Sequence, residues 1–268
     1  MSLSDHGGIR IGVGGWNYDP WIETFYPNGL PRARQLEYAS RTLTSIEIDS
    51  TYYGGKTPKI FRAWHDATPE DFVFAVKGSR FVTNRRVLAE AGPSMERFFS
   101  TGVTELKQKL GPINWQFAKT KRFDPDDFAA FLALLPQSVD GVTLRHAVEV
   151  RHDSFRTANF VELVRARGVA VVTAADGEFP LIADVTAPFV YARIMGTREE
   201  EATGYADGAL ETWAGRARTW ARGEAPDDLA TLQPHAKANG RDVFLYVISG
   251  FKALNPVAAT RLIEKVRE

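Results

Sequence analysis

The chain is expected to fold as a single (β/α)8 barrel of the TIM type. Three observations lead there. Close to eight short apolar runs alternate with segments of helical period; the runs are apolar on consecutive residues, as in parallel strands covered on both faces; and 268 residues is near the usual size of such a barrel. No stretch rich in Pro, Gly or Ser divides the chain, so residues 1–268 are expected to form one domain. The alternative is an open doubly wound sheet, which a G-x-G-x-x-G in the first strand-to-helix turn would mark. Gly12 and Gly14 begin that spacing, but its third position is Asn17.

The first strand is read at Ile9 to Trp16, before a loop rich in Trp, Tyr and Pro and a helix with Leu36, Ala39 and Leu43 on one face. The second is Ser45 to Tyr52, with a short helix from Pro58 to His65. The third, Phe72 to Lys77, is apolar until its last residue. A long loop from Gly78 to Gly92 follows, then a helix in which Met95, Phe98, Phe99, Val103, Leu106 and Leu110 keep helical spacing. Strand four is Gly111 to Phe117, and its helix carries Phe128, Phe131, Leu132 and Leu135 before Pro136 stops it. Strand five, Ala147 to Arg151, leads into a helix holding Phe160, Leu163 and Val164. Strand six, Val169 to Ala174, runs into Asp176 and a stretch to Pro188 without helical period, so one helix is expected to be missing between strands six and seven. Strand seven is Phe189 to Ile194, with a helix through Leu210, Trp213, Ala217 and Trp220; strand eight is Val243 to Ile248, and the last helix runs from about Asn255 to Val266.

Composition narrows the function classes. With 44% hydrophobic, 25% charged and 12% aromatic residues the chain is globular, which excludes disorder, collagen and coiled coil. Lys plus Arg (33) equals Asp plus Glu (33), so no overall positive field favours a nucleic acid. There is no Cys, hence no disulfide, thiolate nucleophile or Cys-based metal site. No apolar run approaches the roughly 18 residues of a membrane helix, and Met1 to Gly8 is polar rather than a secretory leader. The expected address is the cytoplasm, with no membrane partner. Neither a Walker A sequence nor an H-E-x-x-H pair occurs.

Barrels of this type build their sites at the carboxyl ends of the strands, and here those ends turn polar one after another. Strand two ends in Glu47 and Asp49, three in Lys77, four in Gln116, and five in Glu149, Arg151 and His152; six runs into Asp176, and seven carries Tyr191 and Arg193. Alternation puts Glu47 with Asp49, Glu149 with Arg151, and Tyr191 with Arg193 on shared faces. Burying unpaired ions costs several kcal/mol each, so these groups are expected to be paired, hydrated or used on a ligand. A structural ion-pair network is the bland account of any one of them. The joint pattern points to a polar pocket.

Several blocks resemble one family. Gly14-Gly15-Trp16-Asn17-Tyr18, Phe25-Tyr26-Pro27 and Glu47-Ile48-Asp49-Ser50-Thr51-Tyr52-Tyr53 look like the opening motifs of the YecE-like proteins, the domain of unknown function 72. Phe72 to Lys77, Leu110-Gly111-Pro112 with Gln116, Val148 to Phe155, and Tyr191-Ala192-Arg193 with Gly196 resemble its later blocks. The resemblance implies a TIM barrel and spans almost the whole chain. It departs at Asn84 and Met195, where that family usually has His, at Phe117-Ala118-Lys119 after strand four, and at Ile248-Ser249-Gly250, where it has a pair of Asn. It therefore carries over to Glu47, Lys77, Gln116, Glu149, Arg151, His152 and Arg193.

The working reading is an enzyme acting on a small polar ligand, phosphorylated or sugar-like, at the barrel mouth. Glu47 and Glu149 are its candidate acid-base pair. Lys77 is a candidate anion-holding cation or Schiff-base amine, and Arg151 and Arg193 are candidate anion clamps. His152 is a candidate base, and Trp16 and Tyr18 are candidate stacking surfaces. Gly196-Thr197 and Ser249-Gly250 offer a weaker phosphate seat. No metal and no cofactor are expected. Only five His occur, with His6 and His235 in polar segments, His65 ending a helix and His146 preceding a strand; a carboxylate-held Mg²⁺ or Mn²⁺ through Glu47, Asp49, Glu149 or Asp176 stays open. The alternative is a nucleic-acid-binding or nuclease-like barrel using the aromatic first loop and Arg80, Arg85 and Arg86 of the loop after strand three as a lid.

Overall fold

The computed structural model of the chain describes residues 8–234 and 237–268, so His6 and His235 lie outside the described residues. Eight parallel strands close into a barrel: β1 (Ile9–Gly14), β2 (Ser45–Ile48), β3 (Val73–Lys77), β4 (Leu110–Gln116), β5 (His146–Glu149), β6 (Ala170–Ala175), β7 (Phe189–Ile194) and β8 (Asp242–Val247). Each strand pairs with its sequential neighbours, and β8 closes on β1 with Ile9 opposite Val243. Helices α1 (Gln35–Thr42), α2 (Pro58–Asp66), α3 (Gly92–Phe99), α4 (Pro125–Leu134) and α5 (Ala158–Ala166) follow the first five strands. After β7 comes α6 (Asp207–Ala221), and after β8 comes α7 (Asn255–Arg267). Residues 176–188, between β6 and β7, contain no helix, as the lost periodicity there predicts.

Side-chain alternation divides the core in two. Outward residues such as Ile11, Ile46, Phe74, Ile113, Val148, Val190 and Leu245 join the helix faces in one continuous apolar layer. Inward residues form a second cluster, with Phe189 and Phe244 in edge-to-face contact, Tyr191 and Tyr246 one step further along their strands, and the small Ala75, Ala147 and Ala170 opposite. A further step along each strand brings the polar set. The helices start where local chemistry directs: Asp124 accepts from the backbone N–H groups of Asp126 and Asp127 with Pro125 behind it, and Thr157 accepts from Phe160. Among the described residues no helix is long and apolar enough to cross a membrane.

Several expected boundaries move, each for a local reason. β1 stops at Gly14, not Trp16, because Gly15 takes φ +72° and gives its N–H to the Glu47 carbonyl at 2.9 Å. β2 stops at Ile48, and Asp49 opens a single helical turn, Ser50–Tyr53, so Asp49 leaves the strand face of Glu47. β5 ends at Glu149 rather than Arg151. The long helix expected through Met95 and Leu110 is two pieces, α3 and a 3-10 stretch Val103–Lys109, separated by Gly102 at φ +84° and itself kinked at Lys107. The loop Gly78 to Gly92 is not a free lid: it holds a helical turn, Arg80–Thr83, and a 3-10 turn, Leu88–Ala91, anchored by buried Val82, Thr83 and Leu88. An unforeseen hairpin pairs Ser138–Val139 with Val142–Thr143. Its Asp140-Gly141 turn has both φ positive, a pattern the dipeptide announces.

Candidate functional site

At the carboxyl end of the barrel the inward positions of β2, β3, β4, β5 and β7 converge. Arg193 stands between two carboxylates: Nη1 donates to Glu149 Oε2 at 2.5 Å and Nη2 to Glu47 Oε1 at 3.0 Å. The Tyr191 hydroxyl, two residues back on the same face, donates to Glu47 Oε2. The Asn114 amide reaches both acids, Glu149 at 3.2 Å and Glu47 at 3.4 Å. Arg151 returns from beyond the end of β5 to place Nε 2.7 Å and Nη2 2.6 Å from Glu149 Oε1. Lys77 Nζ donates to Gln116 Oε1 at 2.6 Å and lies 4.6 Å from the centre of the Tyr52 ring.

Local backbone structure aims Lys77 at this point. The Thr51 hydroxyl holds the Lys77 carbonyl at 2.7 Å, and the Gly78 N–H bonds the Asn114 carbonyl at 2.9 Å. A Cβ at Gly78 would stand 2.2 Å from the Trp115 ring, so only glycine lets the chain turn here against β4. The helixless segment after β6 has a part too: Phe179 lies under the Arg151 guanidinium, 4.1 Å from ring centre to Cζ.

Above this network lies a cleft of about 480 Å³. Glu47, Lys77, Gln116, Arg151 and Arg193 form its floor, while Trp16, Tyr18, Asp49 and Tyr53 stand on its walls with Ser249 and Lys252. Glu149 and Tyr191 are fully buried and do not line the cleft. Burial alone would raise the Glu149 pKa, but the charges of Arg193, Arg151 and Lys77 outweigh it and hold it near 2. Burial would likewise lower that of Arg193; Glu149 and Glu47 overcome it and keep the guanidinium charged. Two groups facing the cleft shift the other way. Burial and the neighbouring Arg193 lower the Lys77 pKa, while burial and Glu47 raise that of Asp49.

Ten of the twelve residues singled out from the sequence gather at this mouth, seven in the network and Trp16, Tyr18 and Asp49 on the cleft walls. Two do not. His152 accepts from the Ser154 N–H at 3.1 Å, caps the turn Asp153–Phe155, and does not line the cleft. Asp176, at φ +59°, accepts from Tyr205 at 3.1 Å and Trp213 at 3.0 Å in a separate depression. The two assignments rested on proximity to strand ends, and both side chains turn outward to backbone and ring donors. Sequence reasoning missed Asn114, although it precedes Gln116 by two residues and so shares its inward face. It also missed Ser45, whose hydroxyl meets that of Tyr246 at 2.7 Å. Arg193 sits between Glu47 and Glu149, and Asp176 lies elsewhere; among the described residues no group of three or more His, Asp or Glu is placed to hold a metal ion. Thr197, part of the weaker phosphate seat, bonds Asn255 at 2.7 Å and the Ser249 carbonyl at 3.1 Å.

Acid lability follows from two buried groups. His146 accepts from Trp115 Nε1 at 3.1 Å and meets the Pro136 carbonyl at 2.7 Å, and burial lowers its pKa to about 4. The unfolded chain takes up this proton near the ordinary 6.5, before the folded one does. Stability is therefore complete above that value and falls between pH 6.5 and 4, by roughly 3 kcal/mol for a shift of this size. Glu149 adds a second loss below its ordinary 4.5, towards 2. Urea midpoints are expected to fall steadily from pH 7 to 4. In His146→Gln, which keeps an acceptor for Trp115, the part above pH 4 should shrink; an unchanged profile would remove His146 from the account.

The model of a family described as "Protein of unknown function DUF72" matches residues 10–268. A search of curated proteins finds no match. Among solved structures, a DUF72 family protein from Thermotoga maritima is 20% identical with a TM-score of 0.74, covering 97% of this chain and all of that one. A DUF72 family protein from Enterococcus faecalis is 16% identical with a TM-score of 0.68, covering 98% of this chain and 99% of that one. A xylose isomerase-like TIM barrel/4-hydroxyphenylpyruvate dioxygenase fusion protein is 14% identical with a TM-score of 0.50, covering 97% of this chain but 44% of that one. At these identities the likeness is one of fold.

Proposed function

The chain belongs to the DUF72 family, and we propose that its barrel mouth binds and transforms a small polar, negatively charged ligand, phosphorylated or sugar-like. The observation that carries this reading is the cleft floor. Among the described residues the Lys77 ammonium has one hydrogen-bond acceptor, Gln116, which leaves a shielded ammonium with donors to spare at the bottom of an open cleft. Arg151 and Arg193 line the same floor, so an oxyanion entering it meets three cations.

The chemistry divides between locked and poised groups. Glu149 is held ionised, and its two oxygens accept from Arg151, Arg193 and Asn114, so its role is to fix the guanidinium groups. Glu47 is tied to Tyr191 and Arg193 and does the same from β2. Proton transfer falls instead to Lys77 and Asp49, whose pKa values move towards neutrality from opposite sides. This shifts the acid-base work away from the Glu47 and Glu149 pair that the polar strand ends suggest. Lys77 with a lowered pKa is also suited to attack a ligand carbonyl as the neutral amine and form an imine, the carbonyl oxygen leaving as water.

The test is thermal unfolding with a panel of sugar phosphates, sugar acids and small dicarboxylates. A ligand at a hundred times its Kd adds about 2.7 kcal/mol, a rise of several degrees. A shift with one chemical class in the wild type, reduced to about a third or less in Lys77→Met, is expected. A shift of equal size in both proteins would place the ligand elsewhere.

A further inference from the structure

A second cleft, of about 780 Å³, lies beside the mouth, between the helical turns after β2 and β3 and helix α3. Its lining includes Lys56, Arg80, Arg85 and Arg97 and no carboxylate. Neighbouring cations show the contrast. Arg62 pairs with Glu105 at 2.7 Å and Lys121 with Asp127 at 3.2 Å, whereas among the described residues none of the four lining cations has a carboxylate within ion-pair distance. The sequence prepares this: residues 72–89 contain Lys77, Arg80, Arg85 and Arg86 and no Asp or Glu.

Two of the four cations are held in place. The Arg85 Nη2 donates to Ser94 Oγ at 2.9 Å, while its Nε is buried without a partner, a donor whose desolvation nothing in the protein offsets. The Arg80 guanidinium lies 5.8 Å from the Tyr53 ring and 5.5 Å from the Phe81 ring. Both rings are largely exposed, at 64% and 58%, leaving planar faces beside the cationic wall. The turn Ser50–Tyr53 divides this cleft from the mouth: Thr51 lines the one and Tyr53 the other.

We propose that this cleft is a second anion site, distinct from the floor around Lys77, that takes a ligand bearing two or more phosphate groups. Four unpaired cations converge on one volume, and a lone phosphate would leave most of their charge unmatched. The volume is of the size that accommodates a whole small molecule. The exposed Phe81 ring, on the cleft's own lining, provides stacking for a planar group attached to those phosphates. The shared chemistry is the linked phosphate, found in a nucleoside diphosphate and in the backbone of a short single strand.

The test is binding of inorganic pyrophosphate, adenosine diphosphate and a deoxythymidine hexanucleotide to the wild type, to Lys56→Ala/Arg97→Ala and to Lys77→Met. Circular dichroism should first show all three folded; Arg97 is exposed and its side chain makes no hydrogen bond among the described residues, so its truncation should leave the fold intact. The expected result is binding in the wild type, at least tenfold weaker in the double variant and unchanged in Lys77→Met. Pyrophosphate and adenosine diphosphate binding would assign the site to a small ligand. Binding of the hexanucleotide alone, with log K falling against log salt at a slope of about −2 to −3 for three or four phosphate contacts, would assign it to a phosphodiester backbone. Either result supports the anion site. No binding of any probe, binding indifferent to Lys56 and Arg97, or binding lost in Lys77→Met would overturn it, the last by moving the ligand to the mouth.

Discussion

Arg193→Met is expected to lower the unfolding free energy by about 3–5 kcal/mol, because it strands two buried carboxylates that share this cation. At the usual sensitivity for a chain of this size, that is a fall in Tm of roughly 6–20 °C. The cause is desolvation rather than distance. Arg32 and Asp19 also approach to 2.5 Å, but both side chains are about 70% exposed, and water replaces either partner when the other is removed. Arg32→Ala should therefore leave Tm unchanged. Among the described residues Glu47 keeps Tyr191 and Asn114 when Arg193 is gone, and Glu149 keeps Arg151 and Asn114. Thermal and urea unfolding of the two variants side by side decide the matter. Equal Tm values for Arg193→Met and the wild type would show that the carboxylates find other partners, and would end the structural account of this residue.

The second large effect has the opposite character. Lys77→Met should weaken ligand binding at the mouth by about 30-fold or more while leaving Tm equal to or above that of the wild type. Lys77 is shielded and shares its surroundings with Arg193 and Arg151, and its pKa is lowered, so its charged form is less favourable here than in water. Methionine keeps most of the stem packing and removes that penalty. If Lys77 pairs with a ligand oxyanion in a desolvated site, its loss costs about 2–5 kcal/mol of binding, roughly 30-fold to several thousand-fold in Kd. Calorimetric titration of whichever class moves the wild-type Tm measures this. A stable variant with unchanged Kd would remove Lys77 from the site, and a variant as unstable as Arg193→Met would make it one more strut of the network. The pair of substitutions thus separates a cation that holds the barrel together from one exposed to a ligand.

Much of the architecture was legible one residue at a time. Strands and helices announce themselves through short-range periodicity, and the run from Asp176 to Pro188 declared its missing helix by having none. The polar floor was legible for the same reason: two-residue alternation fixes which side chains face inward, so Glu47, Tyr191 and Arg193 could be placed on the barrel interior before any contact was known. Alternation fails where strands stop. Asp49, Arg151, His152 and Asp176 all lie just past a strand end, where a helical turn, a returning guanidinium, a capped 3-10 turn and a positive φ send them in four directions. Asn114 shares the inward face of Gln116 by the same alternation, one step back along β4.

By itself the sequence determined the barrel, its eight strands, the helixless sixth connection and the mouth where charge collects, since each depends on patterns within about ten residues. Only the tertiary structure decided which charges are spent on one another. Glu149 and Arg193 meet across 44 positions of chain, and Glu47 and Arg193 across 146. That closure leaves Lys77 and Asp49, among the described residues, as cleft-lining charges outside any ion pair. It also places Lys56, Arg80, Arg85 and Arg97 around one volume without a carboxylate, because burial and pairing are properties of what lies nearby in space rather than next in the chain.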